Sequence, residues 1–446
     1  MTSLRFLLAL ALTAALGACS GDERASAVDL TILHFNDLHA RLLPDDQGRG
    51  GYAHLASVLA DERATAPAHL TLHAGDLVQG TPVSTLFKGL PAVELANGLG
   101  IDAHCLGNHE FDYGWERVGD FIGAAQFDTI SANVLNSEGR TLAQPWVLHE
   151  AGGLRIAIVG AMTEHLLGLV TSKQLGPWRA APLIDTLRPV VAEAAAASDL
   201  VIVLGHLSRR ETESILQSLP EVSIVIKGHG HRGWQEPIEI DGRLAVEASG
   251  YGRTIGRLSL AYQPRSRRIE SWDWELLPVI AAEVAPNPEL AAEVEMWEGR
   301  VSDVVDIPIG RADRELRGRE IRELIEDAML ASVDGELAYM NNGGVRDVLP
   351  RGELLARQVW NVMPFDNTLV TLNLTGAEML RLPELSGGEI DIDAESVDPI
   401  RRYLVVTSDY SALSWQDSGL AAEFSDTGLL IRDLIIDHIK ARRVLD

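Results

Sequence analysis

The chain reads as an α/β layered domain followed by a smaller α+β domain, and three observations carry that reading. From about residue 30 to 277, short apolar runs alternate with helical stretches, the pattern of strands and helices laid down in turn. Between 281 and 305 the composition shifts to one amphipathic stretch, and a second pattern starts at 306. A length of 446 residues with 46% hydrophobic content is enough to bury two cores.

In the first segment the candidate strands are 30–35, 70–73, 155–159, 200–204 and 222–226, each ending in a polar, glycine-containing loop. The amphipathic stretch opens on Asn287-Pro288, a cap followed by proline in the first turn, and Leu290, Val294, Trp297, Val301 and Val304 then repeat at helical spacing. It is expected to be a linker helix, 281–305, between domains at 28–280 and 306–446. The second domain has helical patterns near 320–330 and after Thr427. No internal repeat or low-complexity run stands out.

The formal net charge of −26, from 38 basic and 64 acidic residues, would repel a nucleic-acid polymer, and no run of Lys or Arg reverses it. Lysine occurs only at Lys88, Lys173, Lys227 and Lys440, so arginine is expected to do most anion recognition. At the N-terminus, Arg5 precedes an apolar run from Phe6 to Leu16, too short to span a bilayer, and then Leu16-Gly17-Ala18-Cys19. That run resembles a bacterial lipobox, which implies a signal peptide over 1–18, acylation of Cys19 and a lipid anchor in the cell envelope. Cys105 is then the sole remaining cysteine and reads as a small hydrophobe in a strand, so no internal disulfide is available.

Five loops carry the chemistry, each just after an apolar strand, where an open α/β sheet places its ligands. They are Asn36-Asp37-Leu38-His39, Gly75-Asp76, Gly107-Asn108-His109-Glu110-Phe111-Asp112, Gly205-His206 and Gly228-His229-Gly230-His231. Imidazoles and carboxylates without thiolate suit divalent metals such as zinc or manganese. Asp37 and His39 stand two apart and would share one face of a regular strand. His34, His54, His69, His73, His104, His149, His165 and His438 match no motif and read as structural.

Together the five loops resemble those of the calcineurin-like metallophosphatases, and residues 107–112 resemble the Gly-Asn-His-Glu-Phe-Asp block of the 5′-nucleotidases. The resemblance implies a two-layer β-sandwich flanked by helices. It also implies two divalent metal ions, one held by Asp37, His39, Asp76 and His231 and the other by Asp76, Asn108, His206 and His229, with Asp76 bridging. His109 and Asp112 match the catalytic pair. Lys227 and Gly205 depart from the common pattern without removing a ligand.

In the second domain, Asn341-Asn342-Gly343-Gly344-Val345-Arg346 resembles the family's glycine-rich phosphate loop, which offers backbone donors and a bidentate cation. Met363-Pro364-Phe365-Asp366-Asn367 resembles the block whose phenylalanine stacks on a nucleobase. Asn341, Arg346, Phe365 and, from a poorer match, Arg317 are therefore the expected substrate residues. The family's second stacking ring lies in a late loop represented here only by residues 416–420, so half an aromatic sandwich is expected, with Trp415 and Phe424 as candidate replacements. The resemblance implies hydrolysis of small exported phosphate esters, foremost nucleoside 5′-monophosphates. Cyclic nucleotides, nucleotide sugars, non-nucleotide phosphates and anion binding without turnover remain alternatives.

Overall fold

A computed structural model describes residues 27–390 and 392–446; the expected lipobox with Cys19 lies outside the described residues. Two six-stranded sheets form the first domain. One runs, edge to edge, Arg268–Pro278, Thr254–Gln263, Val28–Phe35, His69–His73, Ala103–Cys105 and Asp128–Ile130. The other runs Ile238–Ile240, Arg243–Glu247, Ile224–Gly228, Leu200–His206, Leu154–Met162 and Trp146–Ala151. The central strands of each are parallel to one another.

Side-chain alternation explains why these strands read as unbroken apolar runs. Leu30 and Ile32 enter the core between the sheets, with Ile202 and Leu204 from the other sheet, while Leu33 and Phe35 pack on the opposite face. Val201 and Val203 lie in a third core with Leu187 and Val191 of the helix Leu183–Ala197 and Ile215 of the helix Arg209–Ser218. A parallel strand with helices or a second sheet over both faces must be apolar on both. This is the two-layer sandwich flanked by helices that the sequence pattern and the resemblance led us to expect, and it aligns strand ends along one edge.

The helix between the domains runs Pro288–Val305, and the Asn287 side chain accepts from the Leu290 amide at 3.0 Å. Leu290, Val294 and Val301 are buried as expected, but the final inward residue is Val305, not Val304. Val305 is 0% exposed and Val304 is 47% exposed, because 294, 301 and 305 stay on one face at seven- and four-residue steps. Val305→Asp is therefore expected to lower unfolding free energy by ~3 kcal/mol or more, an unpaired charge in a core, while Val304→Asp stays within about 0.5 kcal/mol. Urea denaturation of the two variants checks this.

The second domain has a three-stranded sheet, Gly352–Leu355, Pro308–Ala312 and Val444–Leu445, and a four-stranded sheet, Leu337–Tyr339, Arg402–Ser408, Thr368–Thr375 and Phe424–Leu430. The helices Gly318–Ser332 and Ile431–Arg442 share a core through Ile325, Met329, Ile435 and Ile439. The terminal helix starts later than expected: Thr427 lies in the strand Phe424–Leu430, where its hydroxyl donates to the Leu369 carbonyl at 2.7 Å. No helix among the described residues is long and apolar enough to cross a membrane.

Candidate active site

The five loops meet along one edge of the sandwich. The strand Val28–Phe35 ends just before Asn36 and Asp37, and Ala103–Cys105 delivers Asn108 and His109 after two residues of loop. Two glycines permit the close approach. A Cβ at Gly107 would lie 2.2 Å from an Asp76 carboxylate oxygen, and one at Gly228 would lie 2.1 Å from the Ala74 carbonyl.

Asp37 and His39 do not share the face of a regular strand. Both have positive φ, as do Asp76, His229 and His231, at 52°, 48°, 57°, 81° and 62°. Each such residue costs on the order of 1–3 kcal/mol and persists only where the flanking structure over-determines it. Here buried parallel strands do so, and the left-handed turns aim five side chains at one point.

The ring nitrogens and carboxylate oxygens of Asp37, His39, Asp76 and His231 lie within 4.8 Å of one another, as do those of Asp76, His206 and His229. Asp76 belongs to both groups. His206 Nε2 is 3.1 Å from Asp76 Oδ2, and His231 Nε2 is 3.1 Å from Asp37 Oδ1. His39 Nε2 faces His231 Nε2 at 3.2 Å, and His229 Nδ1 faces His206 Nε2 at 3.1 Å. Asn108 Oδ1 is buried with no hydrogen-bond partner.

Backbone contacts fix the rings. His206 Nδ1 lies 2.9 Å from the Ala74 carbonyl and His39 Nδ1 3.2 Å from the Gln79 carbonyl, so in each case the Nδ1–H donates and Nε2 is left to face the cluster. Burial works against ionisation of Asp37 and Asp76, yet His231 beside the first and His206 beside the second hold both carboxyls below the usual range. Burial also opposes charge on His206, but Asp76 pushes it up to about 9. Burial first, then the Arg346 charge, holds His39 well below the ordinary imidazole value; burial first, then His206, holds His229 at about 4. Buried carboxylates that demand positive charge, imidazole nitrogens that face one another and an orphaned amide oxygen form a donor set that divalent cations fit.

His109 and Asp112 stand beside this cluster. His109 Nδ1 is 2.6 Å from Asp112 Oδ2, and its Nε2 points inward, 4.0 Å from Asp76 Oδ2. Burial alone would depress His109, but the charges of Asp112 and Asp76 raise it above the ordinary value.

Glu110, in the same block, has a role that sequence reasoning missed. Its carboxylate accepts from the amides of Leu77 at 2.7 Å, Gly107 at 2.6 Å and Asp76 at 3.1 Å, tying the second and third loops together. Lys227, the departure from the common pattern, is 2% exposed and pairs with Glu247 at 2.9 Å behind the His229-Gly230-His231 turn.

A pocket of about 210 Å³ joins Asp76, Asn108, His109, His229 and His231 to the second domain's Asn341, Arg346, Phe365 and Tyr410. Arg346 Nη2 is 3.5 Å from His39 Nε2, and the Phe365 ring lies 6.3 Å from the His109 ring, 27° from parallel. Arg317 does not join them: its side chain is 72% exposed and pairs with Glu315. Its backbone caps the helix Gly318–Ser332 through Glu320, and that position points the side chain to solvent.

Trp415 and Phe424 do not line the pocket either. Trp415 is buried against Tyr339 in the second domain's core, where Phe424 also packs. An aromatic ring that does line the pocket is Tyr410, just past the strand Arg402–Ser408, with its hydroxyl donating to the Leu169 carbonyl at 3.2 Å. Its position at the end of an apolar strand is the same signal that marks the metal loops. An outer chamber of about 580 Å³ continues past Phe365 and Tyr410 to Lys88 and Lys173.

Matches to known families agree with this architecture. A calcineurin-like phosphoesterase model matches residues 30–233, and a 5′-nucleotidase C-terminal domain model matches residues 300–389. The chain belongs to the 5′-nucleotidase family. It is 24% identical over 447 residues to the 5′-nucleotidase of Vibrio cholerae, covering 84% of this chain and 80% of that one. It is 26% identical over 404 residues to endonuclease YhcR of Bacillus subtilis, of whose length it spans only 32%. Its fold matches the crystal structure of a 5′-nucleotidase precursor from Thermus thermophilus with a TM-score of 0.85 at 23% identity, covering 94% of this chain and 97% of that one.

Proposed function

We propose that this protein is a two-metal hydrolase of exported small phosphate esters, with nucleoside 5′-monophosphates as its substrates, anchored in the bacterial cell envelope by a lipid on Cys19. The observation that carries the reading is a single pocket that takes in Asp76, Asn108, His229 and His231 of the ligand groups, together with Arg346, Phe365 and Tyr410. Asp37, His39, Asp76 and His231 would hold one ion and Asp76, Asn108, His206 and His229 the other, zinc or manganese by their donor chemistry. When bound, such a pair activates water and clamps the oxygens of an in-line displacement at phosphorus.

The chain's own residues do the rest. Arg346 offers a planar fork to the phosphoryl oxygens, with Asn341 beside it. Asp112 holds His109 Nδ1, which leaves Nε2 to give a proton to the leaving oxygen. The nucleobase stacks on Phe365, with Tyr410 as the opposing ring in place of the late loop at residues 416–420.

Stacking is worth ~1–3 kcal/mol per base. Tyr410→Ala and Phe365→Ala are therefore each expected to lower kcat/KM for adenosine 5′-monophosphate about tenfold or more while ribose 5-phosphate changes by less than about threefold. Equal losses on both substrates would overturn the nucleotide reading. The outer chamber of about 580 Å³ leaves room for a larger ester, which makes nucleotide sugars the second class to assay. The complete ligand set argues against a binding protein without turnover. Cys19→Ser is expected to move the protein from the membrane fraction to the soluble fraction with its catalysis intact, because a lipid adds about 0.8 kcal/mol of membrane affinity per buried methylene. Retention of that variant on washed membranes would exclude the anchor.

A further inference from the structure

The Phe365 ring sits in the pocket, but its placement is decided behind it. Arg432, in the first turn of the helix Ile431–Arg442, is 2% exposed, and its guanidinium carbon lies 3.5 Å from the centre of the Trp360 ring. Its Nη1 donates to the Phe365 carbonyl at 3.0 Å and the Met363 carbonyl at 3.4 Å, and its Nη2 donates to Asp366 Oδ1 at 2.7 Å. From the first domain, Lys88 pairs with the other Asp366 oxygen, and the Thr85 hydroxyl donates to the Pro364 carbonyl at 2.7 Å.

Every carbonyl from Met363 to Phe365 is thus tied, and Pro364 fixes its own φ. A guanidinium this deeply buried costs free energy unless it is paired and hydrogen-bonded. Here Nη1 and Nη2 donate to one short stretch of backbone and the carboxylate that follows it, while Nε is buried with no hydrogen-bond partner. Only a planar fork reaches two carbonyls and a carboxylate together; a lysine ammonium is a point charge on a flexible stem. A ring held this way loses little freedom when a flat ligand stacks on it, the condition under which stacking contributes most to binding.

We propose that Arg432, with Asp366, is a positioning residue that fixes the Phe365 ring and thereby sets how strongly the site favours base-bearing over base-free phosphate esters. This rests on the nucleobase reading above. The test measures kcat and KM for adenosine 5′-monophosphate and ribose 5-phosphate in Arg432→Lys and Asp366→Asn, the second being the more exposed position should the first fail to fold. Each variant is expected to raise KM for the nucleotide roughly five- to tenfold with kcat within about twofold, and to leave ribose 5-phosphate within about twofold. Asp366→Asn added to Phe365→Ala is expected to do no further harm, since both act through one ring.

A loss shared equally by the two substrates, or full additivity in the double variant, would overturn the proposal. If Phe365→Ala is selective for the nucleotide while Arg432→Lys and Asp366→Asn are not, positioning alone is wrong. If Phe365→Ala is itself unselective, the nucleobase reading falls and takes this proposal with it.

Discussion

Asp76→Asn is expected to lower turnover by roughly two to three orders of magnitude or more and to reduce metal retention at both sites. Removing one preorganised group that stabilises developing charge costs about 10²–10³ in rate, and this one serves two groups of ligands at once. One Asp76 oxygen faces His206 at 3.1 Å and His39 at 3.8 Å, and the other accepts from the His109 amide at 2.9 Å. An asparagine keeps the size and the amide contact, so the loop stays folded while the negative charge disappears. Metal analysis of the purified variant alongside turnover on a phosphate ester checks both halves. Near-normal activity with two ions per chain would exclude the bridging role, and loss of one ion alone would place Asp76 in a single site.

How much of this was legible in the sequence follows from how local each signal is. The metal loops were legible because each follows a strand buried on both faces, and such strands announce themselves as apolar runs ending in glycine and polar residues. Their backbone was not. Asp37 and His39 at positive φ look in sequence like any pair two apart, since only the tertiary setting makes a left-handed conformation worth its cost. The second domain was harder for the same reason. Arg317 matched a position along the chain, but the helix it caps sends its side chain outward. Tyr410 reaches the pocket only because the two domains meet at Leu169, a contact 241 residues apart that no local pattern encodes. Arg432 is invisible in sequence as well: it reads as one more charge on a terminal amphipathic helix, yet it is almost fully buried.

His109→Ala is expected to separate chemistry from metal binding. His109 falls outside both ligand groups, so metal content should stay at the wild-type level. Turnover on an ordinary alkyl phosphate ester should fall about 10²–10⁴-fold, the usual worth of a positioned proton donor. The geometry assigns the proton: Nδ1 is committed to Asp112 at 2.6 Å, which leaves Nε2 facing the pocket from a side chain only 12% exposed. Donation at Nε2 matters most when the departing oxygen is strongly basic, as in an alkoxide. With 4-nitrophenyl phosphate, whose leaving group departs readily as an anion, the same variant should therefore lose much less, by at least about tenfold on the ratio of the two substrates. An equal loss on both esters would mean that His109 stabilises charge on the phosphoryl group instead of protonating the leaving oxygen. Loss of an ion on the same substitution would make His109 part of the ligand shell and end its assignment to proton transfer.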